Sequence, residues 1–473
     1  MSKPRCIIIN HTGNSIDKYF PLEQCDIICL VARDIEAAKA KYGNHCKHYL
    51  SFTTRQGFEN NYKNNYNLTY AHIERYRATQ LKIEHGLQRQ FTDMGIIQQK
   101  YFIALSYWLE IFESHTIDAC FLVGQNHSMP YDCIPVDIGI SKNIPTFNIS
   151  NPLGYGNTSI TQAILLNSKD FIKLNNNPTH HHIYAFIEGL QEYYQKNLFK
   201  RKKIGFSNPY KFFFKSQVRT FPCLIANLFR SPYKKYKRAF VKQPLLERHE
   251  IFTASLYVKD LKRLYDKISH APSLEENYIY YSLHQEPEAS IMAVTTLNAQ
   301  LLIIQWLSEC LPKGWKLYIK EHPSQFFCYD RHDYFLKNIH EFRSSKFYQQ
   351  ILSLPNTTLI DINTPSNTLI KNAKAVASIC GSALLEAVAL HKKPIIIFGQ
   401  NVLFLELLKE SFKITSKDLL QEAITKIEGG GHSPTYSDFG EIVSNFTLLS
   451  SDTAYNEKMK DVIQNLIRSK NAD

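Results

Sequence analysis

Short apolar runs recur along the chain, with polar or helix-patterned stretches between them. In the first half, Cys6–Asn10, Asp26–Val31, Asp118–Gly124 and Ile144–Ile149 are near-continuous apolar runs, the pattern of strands buried on both faces. Ile96–Ser114 repeats its apolar positions at helical spacing and predicts an amphipathic helix. Asp132–Ser141 reads as short and helical in part, and Asn60–Asn67 as an exposed loop. A second alternation starts after about residue 250. It predicts strands at Tyr278–Leu283, Trp315–Ile319, Thr358–Ile360, Ala375–Cys380 and Pro394–Phe398. Helices are expected at Ala289–Cys310, Asn367–Ala373, Ser382–Leu390 and Glu457–Arg468. Strands alternating with helices predict parallel sheets covered on both faces. The expectation is an α/β protein with two doubly wound parallel-sheet domains facing a cleft.

The stretch 193–246 breaks this rhythm. It holds fourteen Lys and Arg, no Asp or Glu, and many aromatics, among them Phe212, Phe213, Phe214, Tyr233 and Tyr236. The whole chain of 473 residues has 55 Lys+Arg against 43 Asp+Glu, a net charge of +12. Removing those fourteen charges leaves the other 419 residues at −2. The basic excess is therefore one segment on a near-neutral body. It points to an anionic partner at that segment. Basic residues interleaved with aromatics suit an anionic lipid surface or single-stranded nucleic acid. The predicted cleft favours the membrane over the nucleic acid.

A composition of 44 % hydrophobic and 21 % charged residues excludes a disordered tail, a collagen-like chain and a small disulfide scaffold. The run Cys6–Ile9 is shorter than the apolar core of a signal peptide, about 7–15 residues. No window reaches the roughly 18–20 apolar residues of a membrane span. The ten cysteines form no CxxC pair and read as single buried thiols of a reducing cytosol. The expected location is cytoplasmic, peripheral on the inner face of the membrane through 193–246.

Three strand exits carry the candidate chemistry, at the edge where open α/β sheets bind ligands. First, the strand before Lys320-Glu321-His322-Pro323 ends at a proline that cannot continue a ladder and biases His322 away from helical geometry. His322 then points into the cleft and can donate to a phosphate, with Lys320 adding charge. A plain turn histidine is the alternative. Second, Ala375–Cys380 meets Gly381 and a helix start at Ser382. The N–H groups around Gly381, Ser382 and Ala383 and the helix dipole make an anion site. Glu386, about one turn in, can hold a hydroxyl pair of a ribose or sugar; otherwise it is a surface carboxylate. Third, His284, Glu286 and Glu288 cluster after Leu283. Acidic residues there also fit a helix start.

Taken in order, "YYSLHQEPEAS", "LPKGWKLYIKEHPSQF" and "SNTLIKNAKAVASICGSALLEAVALHKKPIIIFG" resemble bacterial capsule and surface-polysaccharide biosynthesis glycosyltransferases of the GT-B type, related to the capsule Kdo transferases. The resemblance covers about 280–400 and extends more weakly to "QNHSMPYDCIPVDIGISKNIPTFNIS" at 125–150. Where that family often has Gly-Thr or Thr-Gly, this chain has Cys380-Gly381-Ser382, and Ser382 keeps a hydroxyl. The resemblance implies a GT-B-like fold with the basic aromatic-rich insert between its halves. It implies a nucleotide-sugar donor, CMP-Kdo-like among the options, held by His284, Lys320, His322, Gly381, Ser382, Ala383 and Glu386. It implies a glycan or lipid-linked glycan acceptor on the N-terminal half. The chain has no Asp-x-Asp, so neither a metal nor another cofactor is expected.

The candidate bases, in order, are Glu288, His127 and His11, each of which also reads as a solvated or capping side chain. The expected organisation is an acceptor-side domain over 1–192, the membrane-associating insert over 193–246, the donor domain over 247–445 and a closing helix over 446–473. Competing readings are a CDP-alcohol polyol-phosphate transferase of the teichoic-acid type, a nucleotide-sugar epimerase and a nucleic-acid-binding protein. His180-His181-His182 reads as a solvated loop. Glu428–His432 lacks the Lys-Ser/Thr of a phosphate-binding loop.

Overall fold

Arg5–Asn10 (β1) is apolar on both faces, so it can be stable only at the centre of a covered sheet. It lies there in the computed structural model. The structure describes the chain except residues 1–2, 11–15, 19, 33, 52–65, 89–90, 125–132, 156–157, 175–188, 190–191, 193–244, 288–290, 292–294, 296, 327–338, 400–402, 410, 431–435, 451–452 and 469–473. Most of the basic segment, the three candidate bases Glu288, His127 and His11, and His180–His182 fall outside the described residues.

The first sheet surrounds β1 with Asp26–Ala32 (β2) and Cys46–Ser51 (β3) on one side, and Ala119–Gly124 (β4) and Thr146–Tyr155 (β5) on the other. These five strands run parallel in the order β3-β2-β1-β4-β5. Beyond β5 the sheet turns antiparallel through Thr158–Leu165 (β6), which also carries Asp170–Phe171 (β7). The second sheet is parallel throughout. It contains Tyr278–Ser282 (β8), Lys316–Lys320 (β9), Thr357–Leu359 (β10), Ala375–Ser378 (β11), Ile395–Ile397 (β12) and Ser411–Lys413 (β13). Its order is β10-β9-β8-β11-β12-β13. In both sheets the first strand is central and the winding reverses beside it, at β1/β4 and at β8/β11. This is the expected GT-B-like α/β fold with two doubly wound sheets. A ligand crevice belongs at such a reversal.

Strand alternation sorts the second core. Ile279 and Tyr281 pack with Ile304 and Leu307 on one face, while Tyr278 and Tyr280 pack with Leu384 and Val388 on the other. The last elements return to the first sheet. Thr447–Leu449 (β14) pairs antiparallel with β6, Leu448 opposite Thr161. The helix Tyr455–Arg468 then lays Met459, Val462, Ile463 and Ile467 over Cys6, Ile8 and Phe121. A seam joins the sheets: Ile160 of β6 shares a core with Tyr278 and Leu384, and the Phe404 N–H donates to Gln162 Oε1 at 3.0 Å.

Of the helix expected over Ala289–Cys310, Gln300–Cys310 is helical, residue 291 is helical as well, and residues 297–299 are not. The Gln300 side chain is engaged with the His284 backbone. The hairpin β5–β6 and the returning strand β14 also depart from the all-parallel expectation. The eight described cysteines are free thiols, seven of them buried. Among the described residues no helix is long and apolar enough to cross a membrane.

Ile463 is fully buried under the first sheet although it lies near the chain's end. Ile463→Ala is therefore expected to cost about 2–5 kcal/mol by urea unfolding. A loss under about 0.5 kcal/mol, the range of ordinary surface substitutions, would show that the closing helix does not complete that core.

Candidate functional site

The exits of β8 and β11 meet at the reversal of the second sheet. The Cys380 N–H donates to His284 Nε2 at 3.1 Å, and the Ser378 hydroxyl lies 3.1 Å from the same nitrogen. A backbone N–H can only donate, so Nε2 is an acceptor and the bonding pattern assigns the ring proton to Nδ1. Ser378 Oγ in turn accepts from the Gly381 N–H at 3.3 Å. One imidazole and one hydroxyl thus tie the β8 exit to the turn that opens the helix Ser382–His391. The packing leaves little room for a side chain at Gly381, where a Cβ would come 2.9 Å from Ser378 Oγ and 3.8 Å from the His284 ring. Among the described residues no side chain caps this helix. Its first N–H groups, which have no intrahelical acceptor, open at the reversal with the positive end of the dipole.

A buried cation stands beside this helix start. Lys320, at the end of β9, is 2 % exposed. Its Nζ donates to the Thr364 carbonyl and to Ser366 Oγ, both at 2.8 Å. Burial pushes its pKa down to about 8, against the pull of the Glu386 and Asp361 charges. Burial pushes Glu386 up to about 7, against the pull of Lys320. Tyr280 lies on the same face of β8 and feels the same carboxylate; burial takes its phenol to about 12. Titratable groups displaced in this way by burial and by each other mark candidate functional positions.

Behind the exits lies an ion network centred on two fully buried charges. Arg343 and Glu321 are each 0 % exposed. Arg343 Nε donates to Glu321 Oε2 at 2.9 Å, Nη2 to the His284 carbonyl at 2.7 Å, and Nη1 to the Phe342 carbonyl at 3.1 Å and to Glu286 Oε2. Tyr348 donates to Glu321 Oε2 at 2.8 Å. Burial disfavours the guanidinium, but the charges of Glu321 and Glu286 more than offset this and raise its pKa. Two amides complete the frame. Gln300 accepts the His284 N–H at 2.8 Å and donates to Glu286 Oε2 at 2.7 Å. Gln325 accepts the Glu286 N–H at 2.7 Å and donates to the Glu286 carbonyl at 2.8 Å.

The structure places His284, Lys320, Gly381, Ser382, Ala383 and Glu386 around one reversal point. His284 acts there on the protein itself, pinning the helix start. His322 is half-buried next to them and opens the short turn Pro323–Phe326; its own N–H is bound to Glu321 Oε1 at 2.9 Å. The sequence reading missed Arg343, Tyr280 and Ser366. For Tyr280 a signal existed, since strand alternation places it on the face opposite Tyr281. For Arg343 none existed in its local pattern.

No known protein family and no curated protein sequence matches the chain. Solved structures do. The KpsC beta Kdo 2,7 transferase of Thermosulfurimonas dismutans is 10% identical, with 67% of this chain and 79% of that one covered at a TM-score of 0.28. The UDP-GlcNAc 2-epimerase of Methanocaldococcus jannaschii in complex with UDP-GlcNAc and UDP is 10% identical, with 99% and 100% covered at 0.27. The calicheamicin glycosyltransferase CalG4 is 10% identical, with 99% and 95% covered at 0.23. At such identity and overlap, function has to be read from this chain's own site.

Glu386 gives the site a pH signature. Its pKa is raised on folding from 4.5 to about 7, so its contribution favours the fold below 4.5 and is lost as pH rises through about 7. Glu386→Gln removes that dependence. Urea midpoints measured across this window should show the variant gaining on the wild type as pH rises. Parallel profiles would mean that the carboxylate is not displaced.

Proposed function

We propose that the chain is a glycosyltransferase that moves a sugar from a nucleotide-sugar donor to a growing surface glycan without a metal ion. One observation carries this reading. An uncapped helix start at the β8/β11 reversal stands beside a buried lysine and a carboxylate with a raised pKa. The N–H groups at Ser382 and Ala383, with the helix dipole, receive the phosphate of the donor and the charge that grows on it as the glycosidic bond breaks. Lys320 adds positive field from beneath. Glu386 accepts hydrogen bonds from a hydroxyl pair of the donor when ionised. His322, at the rim, donates to the departing phosphate.

The acceptor hydroxyl needs a base within hydrogen-bond reach. Glu288, His127 and His11 remain the candidates for it. The donor domain spans 247–445 and the acceptor side 1–192, with 446–473 closing the chain. A CMP-activated acid sugar is one option for the donor, and the acceptor is a capsule or other surface glycan. The insert 193–246 holds the enzyme against anionic lipid, each Lys or Arg near that surface contributing about 1 kcal/mol.

A thermal-shift panel of CMP, CDP, UDP, GDP and ADP tests the reading. One nucleotide should raise the Tm, by the equivalent of about 2.7 kcal/mol at a hundredfold excess over Kd. With that nucleotide's sugar as donor, Glu386→Ala and His322→Ala should each lower turnover about tenfold, or about 1.4 kcal/mol of barrier. A panel without any shift, or full rates in both variants, would refute the assignment. Phosphate appearing in the product would point to polyol-phosphate transfer instead.

A further inference from the structure

A groove of about 520 Å³ runs between the helix Ser366–Asn372 and the helix Ser382–His391, lined by Asn367, Thr368, Lys371, Asn372, Leu390 and His391. Its volume falls in the range of small-molecule sites, about 300–1,000 Å³. It starts where the candidate site ends. Ser366, bound to Lys320, directly precedes Asn367. Leu390 follows Glu386 by four residues, on the same face of its helix. The walls offer two amides, a hydroxyl and an imidazole around a single apolar side chain. Some of this polarity is already organised: His391 Nε2 is hydrogen-bonded to Asn367 Oδ1, and Asn372 Nδ2 donates to the Thr368 carbonyl at 2.9 Å.

The rim is positive. Lys371 and Lys374 are exposed and Lys393 is half-buried, and among the described residues none of the three forms an ion pair. Burial and then the charges of Lys393 and Lys371 pull the His391 pKa down, and burial and then Lys374 do the same to Lys393. These cations repel one another without a counter-charge. Complementing a helix dipole accounts for Lys371, in the last turn of its helix. It does not account for Lys374 and Lys393, which lie past the helix ends, nor for the groove.

We propose that this groove binds an acidic saccharide, its carboxylate met by Lys371 and Lys393, its hydroxyls by Asn367, Thr368 and Asn372, and one ring face by Leu390. Because the groove leads away from Lys320 and Glu386, the bound sugar would be a stretch of the glycan that the enzyme extends. That last identification rests on the transfer reading, whereas the binding site itself does not.

Calorimetry on the full chain tests it with trigalacturonate, with neutral maltotriose and with inorganic phosphate. Trigalacturonate should bind, more weakly at higher salt. Combining Lys371→Glu with Lys393→Glu should weaken it tenfold or more while leaving the nucleotide thermal shift unchanged. The proposal is overturned if trigalacturonate does not bind, if maltotriose or phosphate binds as tightly, or if the double variant binds like the wild type. A chain that binds trigalacturonate at the groove but responds to no nucleotide would keep this site and lose the transfer reading. The opposite pattern would do the reverse.

Discussion

One guanidinium with no contact to water sets the geometry of the second sheet's binding edge. Arg343 lies between the carboxylates of Glu321 and Glu286, with a carbonyl of His284 as a further acceptor. Burying an unpaired charge costs so much that the group normally neutralises instead. Arg343 stays charged because four of its five N–H groups are taken up by partners on three separate segments. Such networks are weak evidence for net stability, since matched apolar side chains can do as well. What this one does is fix positions. It holds the β8 exit, the β9 exit and the residue after the helix Ile339–Phe342 in a single arrangement. His284 can therefore pin Cys380, and the helix start at Ser382 is held where a phosphate can reach it.

The same frame explains the displaced titrations. Lys320 is kept from water and Glu386 is half-buried beside the Ser366 and Ser382 helices, whose apolar faces share one core with Tyr278 and Tyr318. In that setting each charge is costly on its own and is relieved by the other. The Lys320 pKa is thereby pushed down to about 8 and the Glu386 pKa up to about 7, next to the Ser382 helix start. The groove between the two helices starts beside this pair.

Much of this edge was legible from residue order. A run of apolar residues ending in His-Pro, or in Gly-Ser before a helix, announces a strand exit, which is how Lys320, His322, Gly381, Ser382 and Glu386 were found. Arg343 was not, because its partner Glu286 is 57 positions away and the residues around it carry no unusual pattern. The break at 297–299, before the helix that starts at Gln300, was missed because apolar spacing continues back to Ala289. The return of the chain to the first sheet was also hidden. β14 is three residues long, and the contact that anchors the helix behind it, Thr161 with Tyr455, spans 294 positions. The basic segment 193–246 was the most conspicuous feature of the sequence, and most of it falls outside the described residues.

Hydrogen exchange read by mass spectrometry, with and without the nucleotide that raises the Tm, tests the central claim most directly. The account places the phosphates on the first N–H groups of the Ser382 helix, supported by the Arg343 frame. It predicts slowed exchange confined to peptides covering 282–287, 364–367 and 380–386. Protection elsewhere in the chain, or none at a nucleotide concentration that raises the Tm, would contradict it.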